Sequence, residues 1–416
     1  MSALEASIRK NLGYNILIGL SDASFFGIGA GFASFGTILP LFISGMTDSA
    51  ILIGLIPAIH SVGWQLPQLL TANRVSRLRQ YKPMVMLMTI HERLPFLGLA
   101  LAAWLLPVLG TGIVLPLTFL LLIWQGLGAG VTANAWQSMI AKIIPSEYRG
   151  TVFGAQAAVA NVTISIAAIA AGYLLGWFKT PYNFITLFLL ASLAYGLSMA
   201  ALGFTREPVD EDKQIPAETR SPFAGMGAIL KRDPNFAWFL ALRILFQFAS
   251  MGFAFYIVYG LRRFGMDGVT AGFLTASLTI SQTVANLVMG WLADRWGHRT
   301  MLIFGMLMVS FSSILAWAAP NLNWFYPIFI LTGLANVAYW TIGMAMTVEF
   351  GTEAERPTYI GMSNTLVAPA TILAPLIGGW IADSAGYQTT FMVSVVGGLV
   401  ATAMLIFLIK DPKKVK

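Results

Sequence analysis

The sequence has no cysteine at all, three histidines and few charges: Asp, Glu, Lys and Arg together make up 10% of its 416 residues. The missing cysteines exclude disulfides, thiolate metal sites and thiol catalysis. Three histidines, His60, His91 and His298, give little material for a metal centre. No G-x-x-x-x-G-K-[ST] loop is present, which removes direct drive by a nucleoside triphosphate. A soluble domain carries about 25% charged residues, so a chain this poor in charge cannot cover a water-facing surface. What fills the space is apolar. Hydrophobic residues make up 57% of the chain, and its mean hydropathy is +0.74.

The apolar residues fall into twelve runs of roughly membrane-crossing length. These lie at about 13–43, 51–72, 84–106, 112–142, 151–177, 182–204, 234–262, 268–293, 300–319, 322–350, 358–382 and 387–409. The runs are continuously apolar and too long for the alternating strands of a β-barrel. An α-helix satisfies its own backbone hydrogen bonds in lipid, so the expected architecture is an all-α integral membrane bundle of twelve spans. The first run follows Arg9 and Lys10 but far exceeds a signal-peptide core, and is read as a retained span.

Of the 25 Lys and Arg, Lys179, Arg262 and Arg263 fall on one side of this topology, while Arg93 and Arg243 fall inside spans. All the others lie at the two ends or in alternate turns on the opposite side. By the positive-inside rule both termini are expected in the cytoplasm of a multi-pass cytoplasmic-membrane protein. The net charge of +7 is then topological and calls for no nucleic acid. The one long polar stretch, residues 205–233, reads as a solvated cytoplasmic linker between an N-terminal half (1–204) and a C-terminal half (234–416), each of six spans.

The halves repeat one another. Arg149-Gly-Thr-Val-Phe-Gly154 and Arg356-Pro-Thr-Tyr-Ile-Gly361 share R-x-T-x-x-G, and the same offset pairs Gly126 with Gly333, Gly172 with Gly379 and Phe184 with Phe391. A second echo, Gly290-Trp-Leu-Ala-Asp294 against Gly379-Trp-Ile-Ala-Asp383, ends spans 8 and 11. Nested repeats of this kind belong to secondary transporters.

The stretch Gly290–Arg299, GWLADRWGHR, resembles the cytoplasmic signature of major facilitator superfamily transporters, and the likeness extends to the 6+6 plan of the whole chain. The resemblance implies two pseudo-symmetric six-helix halves and a gate in which Gly290, Asp294, Arg295, Gly297 and Arg299 act with Glu349. The glycines would allow close helix approach and a tight turn, and Arg295 and Arg299 would pair with Glu349. The first half departs from the pattern: Asn73 stands at the signature aspartate, and Leu122 where a second motif has an arginine tied to proton transfer. Ala374-Pro375-Leu-Ile-Gly378-Gly379 resembles an antiporter signature, but in the second half.

Ionisable groups inside spans are costly and mark function. Asp22 lies ~13 Å into span 1 at 1.5 Å per residue, and Arg243 at similar depth in span 7. In the superfamily spans 1, 4, 7 and 10 line the cavity, so the resemblance implies that Asp22 and Arg243 face each other. Asp22 and Glu92 are the candidate proton-coupling groups, with Glu92 and Arg93 alternatively a local network. His60 is read first as a packing histidine. Phe25 and Phe26, Asn134, Trp136, Gln137, Gln247, Tyr256, Tyr339, Trp340 and Thr341 are candidates for the substrate cavity, with Gln156, Gln282 and Asn364 flanking them. Gly27, Gly29, Gly31, Gly126, Gly128 and Gly130 read as seams for close helix packing.

The expected function is secondary active transport of a small solute by alternating access, with the proton as first-choice coupling ion and metabolite or multidrug efflux as first-choice direction. A sugar or organic-anion importer or uniporter is the alternative, and a transport-inactive sensor or membrane enzyme the reading from another class. No catalytic constellation, cofactor or metal is expected. The partners are the solute, the bilayer and protons, and the chain is expected to act as a monomer.

Overall fold

A computed structural model of the chain describes residues 3–210, 226–347, 349–351 and 356–412. Among these it contains helices and no strand. The helices are α1 (Ala3–Phe32), α2 (Ile38–Ser44), α3 (Ala50–Ser76), α4 (Lys82–Leu109), α5 (Thr111–Ile143), α6 (Ser146–Trp177), α7 (Tyr182–Gly203), α8 (Met226–Arg232), α9 (Pro234–Ala249), α10 (Tyr256–Phe264), α11 (Gly268–Trp296), α12 (His298–Ala318), α13 (Phe325–Val337), α14 (Gly343–Thr347), α15 (Arg356–Ala385) and α16 (Tyr387–Phe407).

Eleven helical stretches among the described residues are long and apolar enough to cross a membrane. The expected eighth span is present as the 29-residue helix α11 but is not one of the eleven. Its middle is dense in Thr275, Ser277, Thr279, Ser281, Gln282, Thr283 and Asn286, which lowers its hydropathy without breaking the helix. Four of these hydroxyls return to carbonyls in the preceding turn, from Thr275, Ser277, Thr279 and Thr283.

Two expected spans are interrupted. The stretch Pro234–Phe264 is α9 and α10 joined by a 3₁₀ turn at Met251–Phe255, and Leu322–Thr347 carries a π-helical turn at Ala338–Ile342 between α13 and α14. The first expected span also divides, into α1 and α2, at Ala33–Thr37, where Ser34 Oγ accepts a bond from Gly36 N.

Packing groups the chain into two compact units. The first holds residues 1–42 and 59–219, the second 43–58 and 220–416. In the first, the glycine seams do what their spacing suggests. A Cβ at Gly27 would lie 2.5 Å from the Ala160 carbonyl oxygen, and one at Gly130 would lie 2.2 Å from that of Gly63. A Cβ at Gly128 would meet Glu92 N at 2.6 Å, so α5 lies directly on the stretch of α4 that bears Glu92 and Arg93.

The echo between residues 290–297 and 379–386 also has a shared geometry. Gly297 (φ 89°) is the single residue between α11 and α12, and Gly386 (φ 87°) the single residue between α15 and α16. Only glycine takes that backbone without strain. Among the described residues nothing lies within 4 Å of a Cβ at Gly290, so no close approach of the kind expected there is made by them.

The linker is not solvated throughout. Glu207 is buried, accepts bonds from Tyr81 N (2.9 Å) and Lys82 N (2.7 Å) at the start of α4, and pairs with Lys142 at 3.0 Å. A carboxylate there satisfies free amides and the helix dipole together. Residues 211–225 of the linker lie outside the described residues. Trp177, Tyr182, Trp317, Trp324 and Trp380 are exposed at or near helix ends, where amphipathic rings suit a membrane–water boundary.

Candidate functional site

The first unit encloses a cavity of about 350 Å³, within the range of small-molecule sites. Asp22 of α1, Glu92 and Arg93 of α4, Trp136 and Gln137 of α5, and Phe153 and Gln156 of α6 line it, with Phe26 and Trp64. Its wall is aromatic and amide-rich around one small group of charges.

That group is assembled from three helices. Ser198 of α7 donates a hydrogen bond to Asp22 Oδ1, and Arg93 Nη2 stands 3.8 Å from the same oxygen. Arg93 Nη1 donates to the Tyr195 carbonyl at 2.6 Å, and its guanidinium lies over the rings of Phe26 (5.7 Å) and Tyr195 (5.8 Å). Asp22 and Arg93 are both buried. Opposite charges at this separation attract by about 4 kcal/mol at an effective dielectric of 20. Desolvation costs several kcal/mol per ion, so the attraction offsets only part of it, and the Ser198 and Tyr195 hydrogen bonds supply further compensation.

Within the first unit the partner of Asp22 is Arg93, whereas Arg243, expected to face Asp22, belongs to the second unit. Arg243 of α9 is buried within the second unit. There it donates to Ser363 Oγ on α15, places its guanidinium 5.0 Å from the centre of the Tyr339 ring, and has Met344 S at 3.9 Å from Nη1. Tyr339 stacks on Phe246 at 4.1 Å and accepts a bond from Gln247 Nε2 at 2.6 Å. Among the described residues no carboxylate pairs with Arg243, and its Nε has no partner. A cation–π contact contributes roughly 0.5–2 kcal/mol and a charged hydrogen bond about 1.5–3 kcal/mol. Set against a desolvation cost of several kcal/mol, these leave the buried cation only partly compensated.

The other candidates divide. Trp136 and Gln137 reach the cavity, as does the flanking Gln156. Phe26 lines it, and Phe25 does not. Asn134 turns to α3, donating to the Gln68 carbonyl and to Thr71 Oγ1. Tyr256 is buried against α12, its hydroxyl shared with Ser312 and Ser313, and is a packing residue. Thr341 donates to Asn286 at 2.7 Å, and Trp340 is 40% exposed beside Tyr339. His60 stacks on Phe35 and meets Gln125 Oε1 at 3.1 Å, the arrangement of a packing histidine.

Trp64, Thr132 and Phe153 line the cavity and were not singled out from the sequence. Nothing in their local pattern separates them from lipid-facing or core residues.

In the signature stretch, the side chain of Asp294 lies outside the described residues, so its expected gating contact does too. Arg295 stacks on Trp291 at 3.8 Å, and Arg299 donates to the carbonyls of Leu405 (2.9 Å) and Ile406 (2.8 Å) on α16. The expected pairing of Arg295 and Arg299 with Glu349 is replaced by His298, whose Nδ1 lies 2.7 Å from Glu349 Oε1. The Arg295 guanidinium is taken up by the Trp291 ring one turn back and that of Arg299 by carbonyls of α16, and the histidine at the start of α12 is the group beside Glu349.

A sequence profile of the Major Facilitator Superfamily matches residues 83–263 and 261–416. The chain belongs to this superfamily. It is similar to Multidrug resistance protein 2 of Bacillus subtilis (strain 168), 27% identical over 146 residues, which are 35% of this chain and 36% of that protein. It is also similar to a Na(+), Li(+), K(+)/H(+) antiporter of Planococcus maritimus, 27% identical over 155 residues, 36% of each chain. These alignments span little more than a third of the relatives' own lengths.

Among solved structures the fold is similar to that of the D-xylose-proton symporter (TM-score 0.74, 14% identity, 96% of this chain and 98% of that one). It is likewise similar to the nucleoside transporter NupG (TM-score 0.73, 12% identity, 95% and 100%).

Proposed function

We propose that this chain is a secondary active transporter that exports a small organic solute across the cytoplasmic membrane by alternating access, with proton movement through Asp22 as its drive. In this reading Asp22 exchanges its proton as the solute occupies the cavity, Arg93 and Ser198 hold the carboxylate in place, and Glu92 is the second acid in the wall. Both termini lie in the cytoplasm, and the chain works as a monomer. One observation carries the reading: a buried carboxylate, balanced between a guanidinium and a hydroxyl, sits in the wall of a cavity large enough for a small solute. The relatives named for multidrug resistance and for cation/proton antiport support the direction and the coupling ion.

The test begins with a thermal-shift screen of sugars, amino acids, organic anions and lipophilic cations on the purified chain. The most stabilising solute then enters proteoliposomes with an imposed pH gradient. The expected result is gradient-driven accumulation that Asp22→Asn abolishes while solute counterflow persists. Absence of flux for every stabilising solute, or unchanged accumulation by Asp22→Asn, would overturn the proposal.

A further inference from the structure

Arg243 differs from the other basic side chains held inside the described helices. Arg93 has Asp22, and at the helix ends Lys142 has Glu207 and Arg262 has Asp48. Arg243 is 3% exposed, yet its contacts are a serine hydroxyl, a thioether and an aromatic face, with Nε unpartnered. A guanidinium is a flat fork of donors whose natural complement is a carboxylate or another planar oxyanion. Here that complement is missing among the described residues.

The surroundings suit a ligand. Tyr339 belongs to the π-helical turn Ala338–Ile342, and single π turns concentrate at functional sites. The corresponding stretch of the first half, by the repeat offset, lies inside the uninterrupted helix α5. The second unit has thus departed from its repeat at the residue that stacks under Arg243. Tyr339 is fixed by Phe246 on one face, by the guanidinium over the other and by Gln247 at its hydroxyl, and so holds the cation in place. The position opposite Nη1 is held by Met344 S at 3.9 Å. Sulfur is a weak acceptor, and a methionine side chain is flexible enough to yield to a stronger one. Trp340, 40% exposed and edge-on to Tyr339, extends the aromatic surface.

We infer that Arg243, Tyr339 and Ser363 form an anion-binding site in the second unit that takes a carboxylate attached to an aromatic or other flat apolar body. The carboxylate occupies the guanidinium fork in place of Met344 S, and the body lies against the exposed ring of Trp340. This rests on the transporter reading only for its meaning as a substrate site. It narrows the solute to an organic anion, and binding is measured without transport.

The experiment uses the purified full chain in lipid nanodiscs, with benzoate as probe, benzamide as its uncharged isostere and inorganic phosphate as a bare anion. Equilibrium binding and the thermal midpoint are both read. Benzoate should bind and raise the midpoint, benzamide should bind at least tenfold more weakly, and phosphate should not compete at equal concentration. Arg243→Gln should weaken benzoate at least tenfold. Arg243→Lys keeps the buried charge and so separates loss of the site from loss of the fold, and should weaken benzoate severalfold through loss of the planar fork. Trp340→Leu should weaken benzoate severalfold while leaving the thermal midpoint of the ligand-free chain unchanged. Equal binding of benzoate and benzamide overturns the site, as does binding by phosphate alone or wild-type affinity in a folded Arg243→Lys or Arg243→Gln protein. A chain that binds benzoate as described yet moves no solute in proteoliposomes would keep this site and refute transport. The opposite pattern would keep transport and refute the site.

Discussion

At the scale of single residues, the chemistry rests on which charge finds which partner. Asp22 stands out in the sequence because an acid within an apolar run is expensive. Its partner was not legible, because Arg93 sits next to Glu92 and a neighbour in sequence is the natural first assignment. Successive residues on a helix point about 100° apart, and although Glu92 and Arg93 both line the cavity, the carboxylate within ion-pair distance of the guanidinium is that of Asp22. Arg93 instead reaches Asp22 and the Tyr195 carbonyl. The same helical arithmetic separates Phe25 from Phe26. Phe26 lines the cavity and lies under the Arg93 guanidinium. Phe26→Ala should therefore raise the half-saturating solute concentration severalfold in proteoliposome flux. Phe25→Ala should leave it within a factor of about two, the scale of a change below ~0.5 kcal/mol.

At the scale of elements, regular features were legible and departures from regularity were not. Apolar run length located the helices, and the glycine spacing located the seams, since both follow from the period of the helix. The glycine at 297 and its echo at 386 were legible as turn residues, and both take the left-handed backbone that ends one helix and begins the next. The 3₁₀ turn at Met251–Phe255 and the π turn at Ala338–Ile342 left no mark, because apolar residues continue through both. Such breaks come from side chains packing across helices, which a single stretch does not encode. The seams give a direct test. Gly130→Val would force a side chain into the Gly63 carbonyl oxygen and should lower the thermal midpoint and yield of folded protein, since overpacking costs about 1–3 kcal/mol or more. Gly196→Ala, with open space around it, should leave both unchanged.

At the scale of the whole molecule, composition alone indicated a membrane bundle, and the repeat indicated two related sets of six spans. Two compact units are present, although residues 43–58 pack with the second and not with the half that contains them in sequence. That exchange was not legible, because the repeat describes ancestry of segments and the contacts describe where they settle. The asymmetry of Lys and Arg makes a topological prediction, and the lack of native cysteine makes it simple to check. Lys179→Cys should react with an impermeant maleimide added to intact cells, and Arg77→Cys should react only after the membrane is opened. Reversed labelling would invert the assigned orientation.

If Asp22 carries the proton, a solute gradient alone drives protons through the wild-type chain. Proteoliposomes containing a trapped pH dye are given a gradient of the most stabilising solute and no pH gradient. The wild-type chain should move protons in proportion to solute. Asp22→Asn should move none while still exchanging labelled for unlabelled solute. Proton movement by Asp22→Asn at the wild-type ratio would show that the coupling proton passes through another group.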